Sequence, residues 1–282
     1  MKIVMFCGLE RTREGIDNNF DGLLYTYNYH SIDPFVYISK HFNLDSDLRY
    51  FVAIRSHIMS PQYIFKILRS FYHLKDVSGE RIMMSSFDNL DVKTEKPVPV
   101  CINLISGSID LEQQSFGGTI GNIDDLSSPI ERSQNLIRFV KEFNDVNEKH
   151  FKNFFHLNLY ITTTNKYVFE EANKKNNKMI IEYIDYDSKK FNITSPENVM
   201  LTFGPVIRDT QEELDAMDKT LGPGIKHNSI FCTPDQLIEM LDRLEREGIQ
   251  EVLFWSLRQE DYIKMLEFVK KYNGETMKEK YK

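Results

Sequence analysis

LRYFVAIRSHIMSPQYIFKILRSFYHL, residues 48–74, holds a whole strand–loop–helix unit, and its reading decides the fold. LRYFVAIR (48–55) is apolar at consecutive positions, the mark of a strand buried on both faces. Ser60 is placed to cap the helix that follows, and Pro61 fits its first position, where the missing N–H costs nothing. Ile64, Ile67, Leu68 and Phe71 then form one apolar stripe at helical spacing. A doubly buried strand followed at once by an amphipathic helix is the repeating piece of a parallel α/β sheet.

The same piece recurs on both sides. Strands are predicted at KIVMF (2–6), GLLYTY (22–27), VPVCINLIS (98–106), HLNLYITTT (156–164), KMIIEYI (178–184), NVMLTFGPVI (198–207) and EVLFWS (251–256). Helices are predicted over 60–74, 128–143, 233–248 and 258–272, two of them opening on Ser-Pro or Thr-Pro like the first. Eight strands alternating with helices predict a (β/α)8 TIM barrel, although an open doubly wound sheet fits the pattern nearly as well. Two places break the alternation. The first crossover, residues 7–21, is short for a full connecting helix, and RIMMSSFDNLDVKTEKP (81–97) adds an arm before the fourth strand.

The bulk numbers exclude several classes. The chain has 282 residues, 41% hydrophobic and 27% charged, with a net charge of -7. An acidic balance argues against nucleic acid as a partner, and the short KKNNK at 174–178 reads as a solvated helix end. Three scattered cysteines make neither a metal spacing nor an even disulfide set, so a reduced, cytoplasmic setting is expected. The N-terminal run lacks a signal-peptide pattern, and no apolar run approaches the roughly 20 residues of a membrane span. No G-x-G-x-x-G or Walker loop is present.

Five stretches resemble one family. LRYFVAIRSHIMSPQYIFKILRSFYHLKDVSGER (48–81) is similar to the third strand and following helix of the bacterial luciferase-like flavin monooxygenases, closest to the alkanesulfonate monooxygenase group. INLISGSIDLEQQSFGG (102–118) resembles the family's fourth strand, and Glu131–Arg132 with Phe139 the start of its next helix. RDTQEEL (208–214) and CTPDQLIEMLDRLEREGIQEVLFW (232–255) resemble later helices and the last strand. The resemblance runs, with gaps, from about residue 20 to the C-terminus and implies a single luciferase-like barrel domain over 1–282. It implies reduced FMN as cofactor, supplied by a separate flavin reductase. The implied reaction is attack of O₂ on reduced flavin to give a flavin peroxide that oxidises a small organic or carrier-bound substrate. Family members are commonly homodimers or homotetramers.

Barrel enzymes place their chemistry at the C-terminal ends of strands, which selects candidates independently. His30, Ser31 and Arg55 are the catalytic candidates. His30 is suited to general acid–base work, and Arg55 to an anionic substrate or developing negative charge. Each has a plainer reading: His30 as a surface residue, Ser31 or Asp33 as a helix cap, Arg55 as half of a rim ion pair. Asn103 and Ser106 are candidates for the flavin's polar edge, or an amide bonded within the packed barrel and a turn residue. Thr162, Thr163 and Thr164 stand where the family carries a small Gly-Gly-Ser turn around the flavin phosphate, with Arg132 as a further charge for it; the alternative is a plain Thr/Asn helix cap. Tyr27, Tyr29 and Trp255 are the substrate-binding candidates, although Trp255 can equally be a buried filler.

The departures from the family are specific. Ser133 replaces a Tyr, and Thr202 and Gly204 occupy the seventh-strand stretch where the sulfonate enzymes carry an Arg and a His. Sulfonate is therefore a poor candidate substrate. A catalytically degenerate barrel that binds flavin or a protein partner without turnover is the alternative function.

Overall fold

A computed structural model describes residues 1–27, 32–41, 47–56, 58–76, 99–106, 128–218 and 228–280. Among them, nine strands run in chain order as β1 Lys2–Phe6, β2 Gly22–Thr26, β3 Arg49–Arg55, β4 Val100–Ile105, β5 Leu159–Thr162, β6 Lys178–Glu182, β7 Val199–Ile207, β8 Ser229–Cys232 and β9 Glu251–Phe254. The sheet order is β6-β5-β4-β3-β2-β1-β9-β7-β8, and β6 also pairs with β7, which makes the fold a (β/α)8 barrel. All eight predicted strands are present. The ninth, β8, is four residues long and half-buried over most of its length, so neither its composition nor its period set it apart. The helices are α1 Thr12–Asp17, α2 Pro34–His41, α3 Pro61–Asp76, α4 Pro129–Phe151, α5 Lys166–Asn173, α6 Tyr183–Asp187, α7 Gln211–Asp218, α8 Pro234–Arg246 and α9 Gln259–Lys280.

The first crossover is short, as expected: one turn of 3₁₀ helix, Leu9–Arg11, and the six-residue α1. Gly15 lets α1 sit tight on the strands, since a Cβ there would meet Leu23 Cδ2 at 2.4 Å and Met5 Cε at 2.8 Å. The predicted arm at 81–97 lies outside the described residues.

Two compact units divide the chain, residues 26–179 and residues 1–25 with 180–282. In the first, α4 opens with a full capping box: Ser128 Oγ accepts from Glu131 N, and the Glu131 carboxylate accepts from Ser128 N. The helix runs eight residues past its predicted end, to Phe151, and stops where Lys152 turns left-handed at φ 49°. Its extension is held by aromatic packing, because Phe65 of α3 stacks on Phe143 at 4.5 Å and on Phe151 at 4.7 Å. The predicted fifth strand is shorter than its apolar run. Residues His156–Asn158 form a 3₁₀ turn instead, because the buried Asn158 side chain donates to Val100 O at 2.6 Å.

In the second unit, β7 pairs with β9 and then with β8 at successive stretches of its length. Met200–Phe203 pair with β9, and Gly204–Ile207 pair with β8. Phe203 O accepts from Trp255 N, whereas Gly204 N donates to Asn228 O. Successive residues of a strand point their peptide groups to opposite edges, so β8 takes the edge of β7 opposite β9. Asn228 latches this corner, donating through Nδ2 to Thr202 O at 2.8 Å and accepting from Ile184 N at 3.4 Å. The second contact belongs to the first turn of α6 and marks where the predicted 178–184 strand gives way to helix.

Candidate active site

The ends of β3, β4 and β5 in the 26–179 unit carry most of the predicted site. Tyr50 Oη donates to His41 O of α2, which marks its side of β3 as the helix side. By alternation Arg49, Phe51, Ala53 and Arg55 point the other way, into the barrel. The register Ala53↔Asn103↔Tyr160 puts Asn103 and Thr162 on that same inner face. Its lower part is filled. Arg49 Nη1 donates to Tyr160 Oη at 3.0 Å and lies 5.1 Å over Phe51, and the Phe51 and Tyr160 rings meet edge-on at 5.0 Å. Arg55, Asn103 and Thr162 are the polar groups of this face at the strands' C-terminal end.

Asn103 is 4% exposed. The Thr162 hydroxyl donates to its Oδ1 at 2.7 Å, joining β4 to β5 and fixing the orientation of the amide. Ser56, one residue past Arg55, is also buried and ties β3 to its neighbours: its N donates to Ile105 O at 3.3 Å, and its Oγ accepts from Asn135 Nδ2 of α4 at 3.1 Å. Ser106 follows β4 and is half-buried. Ser56 and Asn135 went unread in the sequence, since nothing local links two residues 79 positions apart.

The end of β5 turns its polar groups on itself. Thr163 is buried, and its Oγ accepts from Asn165 N at 3.0 Å. Asn165 is the N-cap of α5, with Oδ1 accepting from Tyr167 N at 2.9 Å and Val168 N at 3.3 Å. Its Nδ2 donates to Ser133 Oγ of α4 at 3.3 Å. Thr164 is exposed, and Arg132 is half-buried in the first turn of α4.

Tyr27 is anchored by its backbone, donating to Ala53 O at 2.8 Å, and its ring lies 6.3 Å from that of Phe35. Burial, reinforced by the Asp33 carboxylate, pushes its phenol above the ordinary value, so it stays a protonated donor. Asp33 caps α2, accepting from Phe35 N at 2.8 Å. Tyr29, His30 and Ser31 lie outside the described residues.

The other unit holds Trp255, half-buried, just past the end of β9. Gly204 makes room for it: a Cβ there would stand 2.9 Å from Trp255 Cζ3. So Gly204 seats an indole. Next along β7 comes an ion cluster that the sequence did not reveal. Arg208 pairs with Asp261 at 3.1 Å and with Glu260, while Arg258 holds the same Asp261 at 2.5 Å. Cys7 and Cys232 are buried, which pushes both thiols up to about 12 and removes them as nucleophiles near neutral pH. Among the described residues no group of His, Cys, Asp and Glu is arranged to hold a metal ion, and no helix is long and apolar enough to cross a membrane.

No family model matches the chain, and no curated protein matches it by sequence. Solved structures do. A monooxygenase from Streptomyces bottropensis superposes with a TM-score of 0.59 at 9% identity, covering 96% of this chain and 98% of that one. EDTA monooxygenase from a Chelativorans species gives 0.58 at 10% identity, over 96% and 93%. The coenzyme F420 dependent tetrahydromethanopterin reductase from Methanopyrus kandleri gives 0.57 at 9% identity, over 95% and 96%. What the chain shares with them is the (β/α)8 barrel fold. At such identities the likeness speaks for the fold alone, and the chemistry rests on the residues.

Proposed function

We propose that this chain is a flavin-dependent monooxygenase of the luciferase-like type, acting on a small organic or carrier-bound substrate with reduced flavin supplied by a separate reductase. The observation that carries this reading is the buried Asn103–Thr162 pair, which shares the inner face with Arg55 at the strands' C-terminal end. The fold supplies the context, because several barrels of this architecture are named for monooxygenase activity. The rim of a flavin ring carries both donors and acceptors, and an amide with a hydroxyl is the neutral side-chain pair that matches both. Bound there, the flavin supplies the oxygen-activating chemistry.

The chain's own residues do the rest. Asn103, oriented by Thr162, holds the ring edge. Arg55 places a permanent positive charge where negative charge develops. Tyr27 keeps its proton and bonds Asp33, the cap of α2. Anaerobic titration with photoreduced FMN tests the reading, followed by oxygen uptake with a flavin reductase present. Absence of binding at roughly 50 μM flavin would sink it. Binding without turnover across a broad substrate panel would instead favour a barrel that keeps the flavin and has lost the reaction, a reading supported by the self-capped turn after β5.

A further inference from the structure

The turn between β5 and α5 leaves little for a phosphate. An anion binds a helix N-terminus through free N–H groups of the first turn, drawn by the helix dipole. Here the N–H groups of Tyr167 and Val168 are both taken by Asn165 Oδ1, at 2.9 and 3.3 Å. The next one, Phe169 N, donates to Asn165 O at 3.0 Å. The hydroxyl that precedes the helix is engaged as well, because Thr163 Oγ accepts from Asn165 N at 3.0 Å and donates to Asn165 O at 3.3 Å. The remaining end of the Asn165 amide donates to Ser133 Oγ, which itself donates to Pro129 O at 2.9 Å. Upstream, the Thr162 hydroxyl is committed to Asn103. Apart from the exposed Thr164, the side-chain polar groups of this turn are already bonded to partners within the protein, and two β-branched threonines, Thr162 and Thr163, stand where close backbone approach would be needed.

We propose that Asn165 fills the flavin-phosphate position of this barrel, so that the chain recognises a flavin by its ring and binds riboflavin as well as FMN. This rests on the flavin reading above and goes beyond it by naming which part of the cofactor is read. Asn165 is then a specificity-determining residue, acting by occupying the donors rather than by touching the ring.

The test is a pair of anaerobic titrations of the full chain, with photoreduced riboflavin and with photoreduced FMN. Each is followed by quenching of Trp255, the chain's one tryptophan. The two dissociation constants are expected to agree within about threefold. FMN binding about tenfold or more tighter than riboflavin overturns the proposal and leaves the flavin reading standing. Binding of neither overturns both. Asn165→Gly, which keeps a residue tolerated at N-caps, frees two N–H groups and is expected to tighten FMN by about fivefold or more while leaving riboflavin unchanged. Equal affinities for the two flavins in that variant would overturn the role given to Asn165.

Discussion

The ends of β4 and β5 in one unit and the end of β7 in the other solve the same problem with opposite chemistry. Each has to satisfy polar side chains that are largely removed from water. At β4 and β5 the groups are neutral: the Asn103 amide and the Thr162 and Thr163 hydroxyls. At β7 they are ions, with Arg208 8% exposed and the Asp261 side chain 5% exposed. Neutral hydrogen bonds are individually modest and can be exchanged for bonds to a ligand at small net cost. A buried ion pair cannot be opened that way, because removing one partner strands a charge in a poor solvent. The contrast teaches where a ligand can be admitted. The neutral end can trade partners. The ionic end has spent its charges locking the first turn of α9 onto β7.

Breaking the ionic end gives the largest expected effect. Asp261→Ala leaves Arg208 and Arg258 facing the same space without their shared carboxylate, and is expected to cost about 3–5 kcal/mol in urea unfolding. A cost under about 1 kcal/mol would mean that the cluster behaves like an exposed ion pair, and the contrast would collapse. Alkaline pH probes the buried thiols next. The Cys7 and Cys232 thiols, ordinarily near 9.0, are held up to about 12, so the unfolded chain releases those protons first as pH rises. Their contribution to stability is complete below about pH 9 and is lost progressively toward 12. A fall across that window that is shallower in Cys232→Ala than in the parent chain, by about the share of one of the two thiols, assigns that part of the loss to Cys232. A parent chain that is itself flat would refute the burial argument.

The neutral end is sharpened by Asn103→Ala. Removing the acceptor leaves the Thr162 hydroxyl to find another partner, at an expected cost of about 1–3 kcal/mol. Reduced-flavin binding is expected to weaken by about tenfold or more. Loss of stability with unchanged flavin binding would make Asn103 a packing residue only. Gly204→Ala is the matching change in the other unit. The added methyl meets the indole, so the emission of the only tryptophan is expected to shift and stability to fall by about 1–3 kcal/mol.

The eight barrel strands were legible because they are short β-rich apolar runs, several of them apolar at consecutive positions, and three of the helices because Ser60–Pro61, Ser128–Pro129 and Thr233–Pro234 mark their starts. β8 was not legible, since four residues carry no usable period and its place beside β7 rests on Asn228 reaching Thr202, 26 positions away in sequence. Within the site, Asn103 stood out because an amide inside an apolar strand has to be answered by something. What answers it, Thr162, lies 59 residues on and emerges only with the register. The Arg208 cluster was hidden for the same reason: its acid is 53 positions downstream, in the first turn of what read as an ordinary amphipathic helix.

The smallest expected effect falls on Asn165, and it separates the two ends most cleanly. Its side-chain oxygen is the only side-chain cap of α5, so Asn165→Ala is expected to cost about 1 kcal/mol by urea unfolding. That is several-fold less than the loss of Asp261, although both residues sit at the start of a helix that follows a barrel strand. The reason is what each removal leaves behind. Without Asn165 the freed N–H groups face water, because the residue is exposed and solvent can replace its oxygen. Without Asp261 water has little access, and two guanidinium groups repel. Asn165→Asp keeps an oxygen in place and adds a charge that the helix dipole favours, so its stability should equal or exceed that of the parent. If Asn165→Ala costs nothing, the oxygen is not holding those N–H groups, and the turn after β5 is open to an anion after all.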